Sequence, residues 1–135
     1  MHINLYRLLG KCKSDGVFPD PKCTPGEHTT DDKYVICMPR YSTDHRSVSA
    51  LRKALVFQSY GILVHKPGQY EIDHLIPLEL GGTNSMANLW PQPVSSFRVK
   101  DKVENEQHDV VCTGRKSLAQ AQKDIATNWV SLITP

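Results

Sequence analysis

Apolar positions along the chain change their spacing several times, and each change marks an element. From Val48 to Tyr60 the residues Val48, Leu51, Leu55, Val56 and Tyr60 recur at helical spacing, with Arg52 and Lys53 looking outward. Ser47 is placed to cap this helix and Gly61 to end it. Before it, residues 11–33 show little periodicity, with turns marked by Pro19, Pro21, Pro25 and Gly26, and Tyr34 to Met38 is a short β-prone run stopped by Pro39. After it, Ile62 to His65 predicts a strand or a strand entry, Lys66-Pro67-Gly68 a turn, and Gln69 to Leu75 a second strand. An imperfect stripe of Val99, Val103 and Val110, with Phe97 and Gln107, predicts a helix from about Pro93 or Ser95 to Val111, closed by Cys112-Thr113-Gly114. Ser117 then caps a last helix whose inward face is Leu118, Ala121, Ile125, Trp129 and Leu132 or Ile133. No internal repeat or low-complexity tract is present.

The pattern is α+β. At 135 residues the chain is one domain by length, so any site should lie on a single scaffold. A formal charge of +2 excludes a strong overall basic field, leaving phosphate contacts to local clusters. The upstream cluster is Arg40, His45, Arg46, Arg52 and Lys53; the downstream one is Arg98, Lys100, Lys102, Arg115 and Lys116. No run approaches the ~18 apolar residues of a membrane helix, so no membrane partner is expected. Met1 to Gly10 carries Ile3, Leu5, Leu8 and Leu9, but polar residues interrupt them and no small-residue cleavage site follows; it does not read as an intact signal peptide. The segment can instead be a helix that docks on the domain. Cys12, Cys23, Cys37 and Cys112 include no Cys-x-x-Cys pair, which argues against a zinc knuckle and for disulfides formed in an oxidising compartment.

The densest chemistry lies in Tyr70-Glu71-Ile72-Asp73-His74-Leu75-Ile76-Pro77-Leu78-Glu79-Leu80-Gly81-Gly82, followed by Asn88-Leu89-Trp90-Pro91. On a strand, Tyr70, Ile72 and His74 share one face while Glu71, Asp73 and Leu75 share the other. Asp73 and His74 can therefore serve one site only if the strand ends or twists there, which Ile76-Pro77 favours. Gly81-Gly82 then reverses the chain and returns Asn88 toward the pair. A carboxylate, an imidazole and an amide so grouped can hold a divalent cation and activate water.

Residues 70–91 resemble the HNH nucleases of the His-Me finger group, whose signature reads Asp-His-hydrophobic-hydrophobic-Pro, then Gly-Gly, then Asn-Leu. Pro19-Asp20-Pro21, Cys23-Thr24-Pro25-Gly26, Val35-Ile36-Cys37 and Val111-Cys112-Thr113-Gly114 extend the likeness to a small, exported bacterial branch. The resemblance implies a ββα-metal finger at about residues 69–112, inside a domain spanning 19–135 with further packing helices, and makes residues 1–18 an N-terminal extension. It implies a secreted or periplasmic, metal-dependent endonuclease that hydrolyses DNA with low sequence specificity, with RNA as a secondary candidate substrate. In it His74 is the general base, Asp73 an anionic ligand to Mg²⁺ or Mn²⁺, and Asn88 either a further ligand or the residue that orients the histidine. The finger helix should supply a histidine, yet none occurs from Phe97 to Asp101. Glu104, one helical turn before His108, is the preferred replacement as metal ligand, and His108 the second choice. Arg98, Lys100 and Lys102 are the expected phosphate contacts, and Trp90 is expected to pack rather than stack on a base. Of the possible bridges, Cys23 with Cys37 or Cys37 with Cys112 are expected first. The missing helix histidine and the small net charge support a different class, a non-catalytic nucleic-acid- or protein-binding module that keeps the finger as a scaffold.

Overall fold

A computed structural model describes residues 4–134. In chain order the elements are α1 (Leu5–Leu8), α2 (Lys33–Ile36), α3 (Tyr41–His45), α4 (Ala50–Ser59), β1 (Tyr70–His74), β2 (Leu89–Pro93), α5 (Val94–Cys112) and α6 (Leu118–Asn128). Short 3₁₀ turns at Leu78–Leu80 and Met86–Asn88 lie between the strands, and a third at Trp129–Leu132 follows α6. The fold is mixed α+β, with one two-stranded antiparallel sheet and α5 packed across both strands.

Of the two stretches read as strands, only the second forms one. Ile62 to His65 forms no strand, and Leu63 and Val64 are largely exposed; β1 pairs instead with Leu89–Pro93, setting Asp73 opposite Trp90 and His74 opposite Leu89. Two prolines hide β2 from a sequence reading, because proline removes a ladder donor. Pro91 and Pro93 are two residues apart, so both turn the missing donor to the same edge. Val94 N–H donates to Gln69 O at 3.0 Å, and strand alternation puts the amides of Gln92 and Trp90 on that same inward side. The prolines thus face away from β1 and leave the pairing intact.

Three other local expectations are corrected. Tyr34 to Met38 belongs to a helical turn, because Asp32 caps it by accepting from Tyr34 N–H. The cap of α4 is Ser49 rather than Ser47, its hydroxyl accepting from Arg52 N–H. The predicted inner face of α4 is rotated: Val56, Ser59 and Tyr60 are buried, whereas Leu51 is 71% and Leu55 43% exposed. The Tyr60 hydroxyl explains the rotation, since it accepts from Asp20 N–H at 3.1 Å and lies 2.8 Å from Thr24 Oγ1, fixing the end of the helix inward. The last helix follows its pattern, with Ser117 capping Gln120 N–H and Leu118, Ala121, Ile125 and Trp129 buried.

The main core gathers Ile36, Ile76, Leu80, Val103, Val111, Leu118, Ala121, Ile125 and Trp129, and a smaller one joins Tyr60, Leu75 and Trp90 to a disulfide between Cys12 and Cys23. The second disulfide links Cys37 to Cys112 at the end of α5, as one of the two expected bridges; Cys23 pairs with Cys12, not Cys37. Residues before position 19 are stitched into the same body. Arg7 donates to the carbonyls of Cys23, Met86 and Leu89, Ser96 Oγ donates to Gly16 O, and Trp129 Nε1 donates to Val17 O. No boundary in hydrogen bonding or packing separates that segment from the rest of the described residues.

Candidate functional site

β1 ends at the adjacent pair Asp73 and His74, which are 7% and 6% exposed. Beyond them the loop to β2 is held by Asn88. Its Oδ1 accepts from Glu27 N–H and Ile76 N–H, and its Nδ2 donates to Ile76 O and Thr83 O, so every bond the buried amide can form is made to backbone. The Gly-Gly turn has a matching cause. Gly81 has φ +85, and a Cβ on Gly82 would lie 1.7 Å from Ile76 O, so the two limbs can approach only with glycine there. Asn88 therefore shapes the loop that carries the pair; its side chain offers no unshared oxygen to a cation.

The residue that touches the histidine is Asn84, which follows the Gly-Gly turn and was not singled out by sequence. His74 Nε2 and Asn84 Oδ1 are 2.9 Å apart, and Asn84 Nδ2 donates to His45 O at 2.7 Å. With its amide N–H groups directed at a carbonyl, Asn84 presents only an acceptor to the ring. The hydrogen-bond network thereby assigns the proton to Nε2 and leaves Nδ1 as the basic nitrogen. Burial pushes the His74 pKa below the usual histidine range, against the opposing pull of the Asn84 hydrogen bond and the Asp73 charge, so the ring is neutral at pH 7. Arg52 donates to Asn84 O at 2.7 Å, latching the start of α4 to the same asparagine.

Asp73 turns toward α5. Its Oδ2 accepts from Trp90 Nε1 at 2.8 Å and lies 2.9 Å from Lys100 Nζ, which is also 2.6 Å from Glu104 Oε2 and 3.0 Å from His74 O. Lys100 is 0% exposed, and an ammonium has three hydrogens, so all of them are taken by protein oxygens. This corrects the expectation of a phosphate-binding Lys100: it sits on the inward stripe of α5, formed by Ser96, Lys100, Val103, Gln107 and Val111. Burial lowers its pKa, but Asp73 and Glu104 outweigh that and hold the ammonium charged. Trp90 packs fully buried, as expected, and adds the bond to Asp73.

A small cavity of about 50 Å³ opens beside the pair, lined among others by Arg46, Glu71, Asp73, His74, Asp101 and Glu104. Four carboxylates there face two cations, Arg46 and Lys100, an excess of two negative charges when all are ionised. Burial and the neighbouring charges of Asp101 and Asp73 push Glu71 up; burial and Asp73 do the same to Asp101. The surplus falls most heavily on Glu104, which burial, set against Lys100 and reinforced by Asp73, pushes up to about 8. Near neutral pH Glu104 keeps its proton, which leaves one uncompensated negative charge; hard carboxylate oxygens are the donors that Mg²⁺ or Mn²⁺ takes, and such a cation would favour release of the Glu104 proton. No three ligand atoms of this cavity lie within 4.8 Å of one another among the described residues, so such a cation would keep part of its water shell.

The other expected site residues lie elsewhere. His108 turns its Nε2 to Ile36 O at 3.0 Å and packs against the Cys37–Cys112 disulfide. The His108 nitrogen and the two sulfurs fall within 4.8 Å, but the metal-binding form of cysteine is the thiolate, and here both sulfurs are oxidised. Arg98 and Lys102 line a separate crevice with Val99, Glu106 and Ile133. Of the expected set, Asp73, His74 and Glu104 meet at the cavity and Asn88 holds the loop behind it; Glu71 and Asp101 join the lining, and Asn84 bonds the histidine without lining the cavity. Comparison of the chain with protein-family profiles, with curated proteins and with solved structures gives no match.

Proposed function

We propose that this chain is a metal-dependent endonuclease of the HNH type, hydrolysing phosphodiester bonds in nucleic acid, DNA first, with β1, β2 and α5 as its ββα-metal finger. The observation that carries the reading is the pairing of a neutral imidazole, its Nδ1 free and its Nε2 fixed by Asn84, with an adjoining cavity of excess negative charge. His74 Nδ1 accepts a proton from water as the water oxygen bonds to phosphorus and the bond to the 3′ oxygen breaks. Asn84 holds the ring so that this nitrogen, not the other, meets the water. Asp73 and Glu104, with Glu71 and Asp101 beside them, would hold Mg²⁺ or Mn²⁺, which supplies positive charge to the phosphate and to the departing oxygen. Lys100 fixes Asp73 and Glu104 in place from behind. The two disulfides agree with an oxidising setting, and secretion is part of the same proposal.

One observation favours a second reading, a non-catalytic binding module: the Lys100 ammonium already neutralises part of the carboxylate set that a metal would use. A nicking assay on supercoiled plasmid with Mg²⁺, Mn²⁺ or EDTA separates the two. The endonuclease should nick with metal and not with EDTA, and His74→Ala, with an unchanged circular dichroism spectrum, should be slower by roughly 10²–10⁴. Full activity of that variant would remove His74 from the mechanism, and DNA binding without nicking would select the module.

A further inference from the structure

Next to His74, and adjoining the acidic cavity, lies a larger open groove of about 460 Å³. Its walls include Arg46, Lys53, Phe57, His65, Tyr70 and His74. Three of these form an aromatic cluster: the rings of Phe57 and His65 stack at 4.0 Å with 20° between planes, and Tyr70 meets both edge-on, at 5.9 and 6.1 Å. His65 is exposed, so with one face on Phe57 its other face is open to solvent. Arg46 and Lys53 are exposed too, and neither takes part in a salt bridge among the described residues.

A buttressed ring with one free face, flanked by Arg46 and Lys53, has the chemistry that accepts an unpaired base and its phosphates; Arg46 is shared with the acidic cavity, Lys53 is not. Stacking of that kind needs a base whose own face is free. In a continuous duplex both faces of each base are covered by neighbours, so only the phosphates of a duplex could be engaged. His74 is also one of the groove's walls, so a strand lying in it would pass beside the imidazole. Glu71, the one acid among its walls, lies toward the acidic cavity that the groove adjoins.

We propose that this groove holds an unpaired nucleotide of a single-stranded nucleic acid, its base on the open face of His65 and its phosphates on Arg46 and Lys53. The proposal rests on the nuclease reading for what happens to the strand afterwards, and makes single-stranded or frayed nucleic acid the preferred substrate. Fluorescence anisotropy of full-length His74→Ala protein tests the groove without cleavage, using a labelled mixed-sequence DNA oligonucleotide and the duplex made from it. The single strand should bind about tenfold or more tighter than the duplex. Adding His65→Ala should weaken single-strand binding by about 5- to 30-fold, His65→Phe should keep it, and duplex binding should be the same in all three. Lys53→Ala should weaken both and flatten the salt dependence by about one phosphate contact. Equal affinity for strand and duplex, or an unaltered single-strand affinity in His65→Ala, overturns the proposal. A single-strand preference in a protein that cuts nothing with Mg²⁺ or Mn²⁺ supports the groove and rejects the nuclease reading. Cutting of strand and duplex at equal rates does the reverse.

Discussion

Glu104 and His74 lie at one cavity, yet burial acts on them in opposite senses, because it disfavours the charged form of each. Glu104 is raised from 4.5 to about 8, so across that range the native protein holds a proton that the unfolded chain has released. Stability of the metal-free protein must then fall as pH rises through the window. His74 is lowered from 6.5, so below that pH the unfolded chain binds the extra proton and stability falls as pH drops. Above pH 6.5 the histidine effect has largely run out and the carboxyl effect is the larger of the two. Chelated protein should lose roughly 1–2 kcal/mol between pH 6.5 and pH 8 in urea titrations. Glu104→Gln should largely remove that decline, and millimolar Mg²⁺ or Mn²⁺ should offset it by favouring the ionised carboxylate. An undiminished decline in the glutamine variant would assign the effect to other groups.

Asn88 acts at the scale of the hairpin rather than of the reacting atoms. Its amide replaces a strand partner for the loop, bonding Glu27, Ile76 and Thr83 backbone where no regular ladder runs. Asn88→Asp is the informative change, since it keeps an oxygen that a metal could use but removes the donors to Ile76 O and Thr83 O. It should lower stability in EDTA by roughly 2–4 kcal/mol, as should Asn88→Ala, because buried carbonyls lose their partners. Unchanged stability of the aspartate variant in EDTA would return Asn88 to the list of possible ligands. The sequence made this element legible in part. Tyr70 to His74, the Gly-Gly turn, the return of Asn88 and the extent of α5 could all be read, because alternation, turn chemistry and helical spacing are local signals; of the predicted α5 stripe only Val103 and Gln107 are buried, and Val99 is 43% exposed. β2 was hidden by prolines whose harmlessness depends on which edge they face, a property of the pairing and not of the residues. Asn84 and Glu71 were missed for a related reason: each has an ordinary local explanation, as turn asparagine and strand acid, and gains its role only from what the fold sets opposite it. Lys100 was misplaced because a lone lysine in a polar helix reads as solvated, and only α5 packing on β1 turns it toward Asp73.

The whole molecule is tied at two points of unequal reach. Cys12–Cys23 closes a separation of 11 residues and secures the segment bearing α1, while Cys37–Cys112 closes 75 residues and spans nearly every part of the site, from α3 to the end of α5. In the loop-entropy picture the constraint on the unfolded chain grows with the logarithm of the closed length. The ratio of these lengths makes the longer bridge worth roughly 1.5–2 kcal/mol more than the shorter one. For a domain of this size that corresponds to a gap of about 5–8 °C in melting temperature. Scanning calorimetry of Cys12→Ser/Cys23→Ser against Cys37→Ser/Cys112→Ser measures the gap, with the second protein expected to melt lower. The shorter bridge has one means of closing it: Cys23 O also receives the Arg7 guanidinium, which reaches on to Met86 and Leu89 around the hairpin, so cutting that bridge also loosens the approach to β2. Equal melting temperatures would mean that this packing matters as much as chain entropy, and would make the N-terminal segment a working part of the site's scaffold.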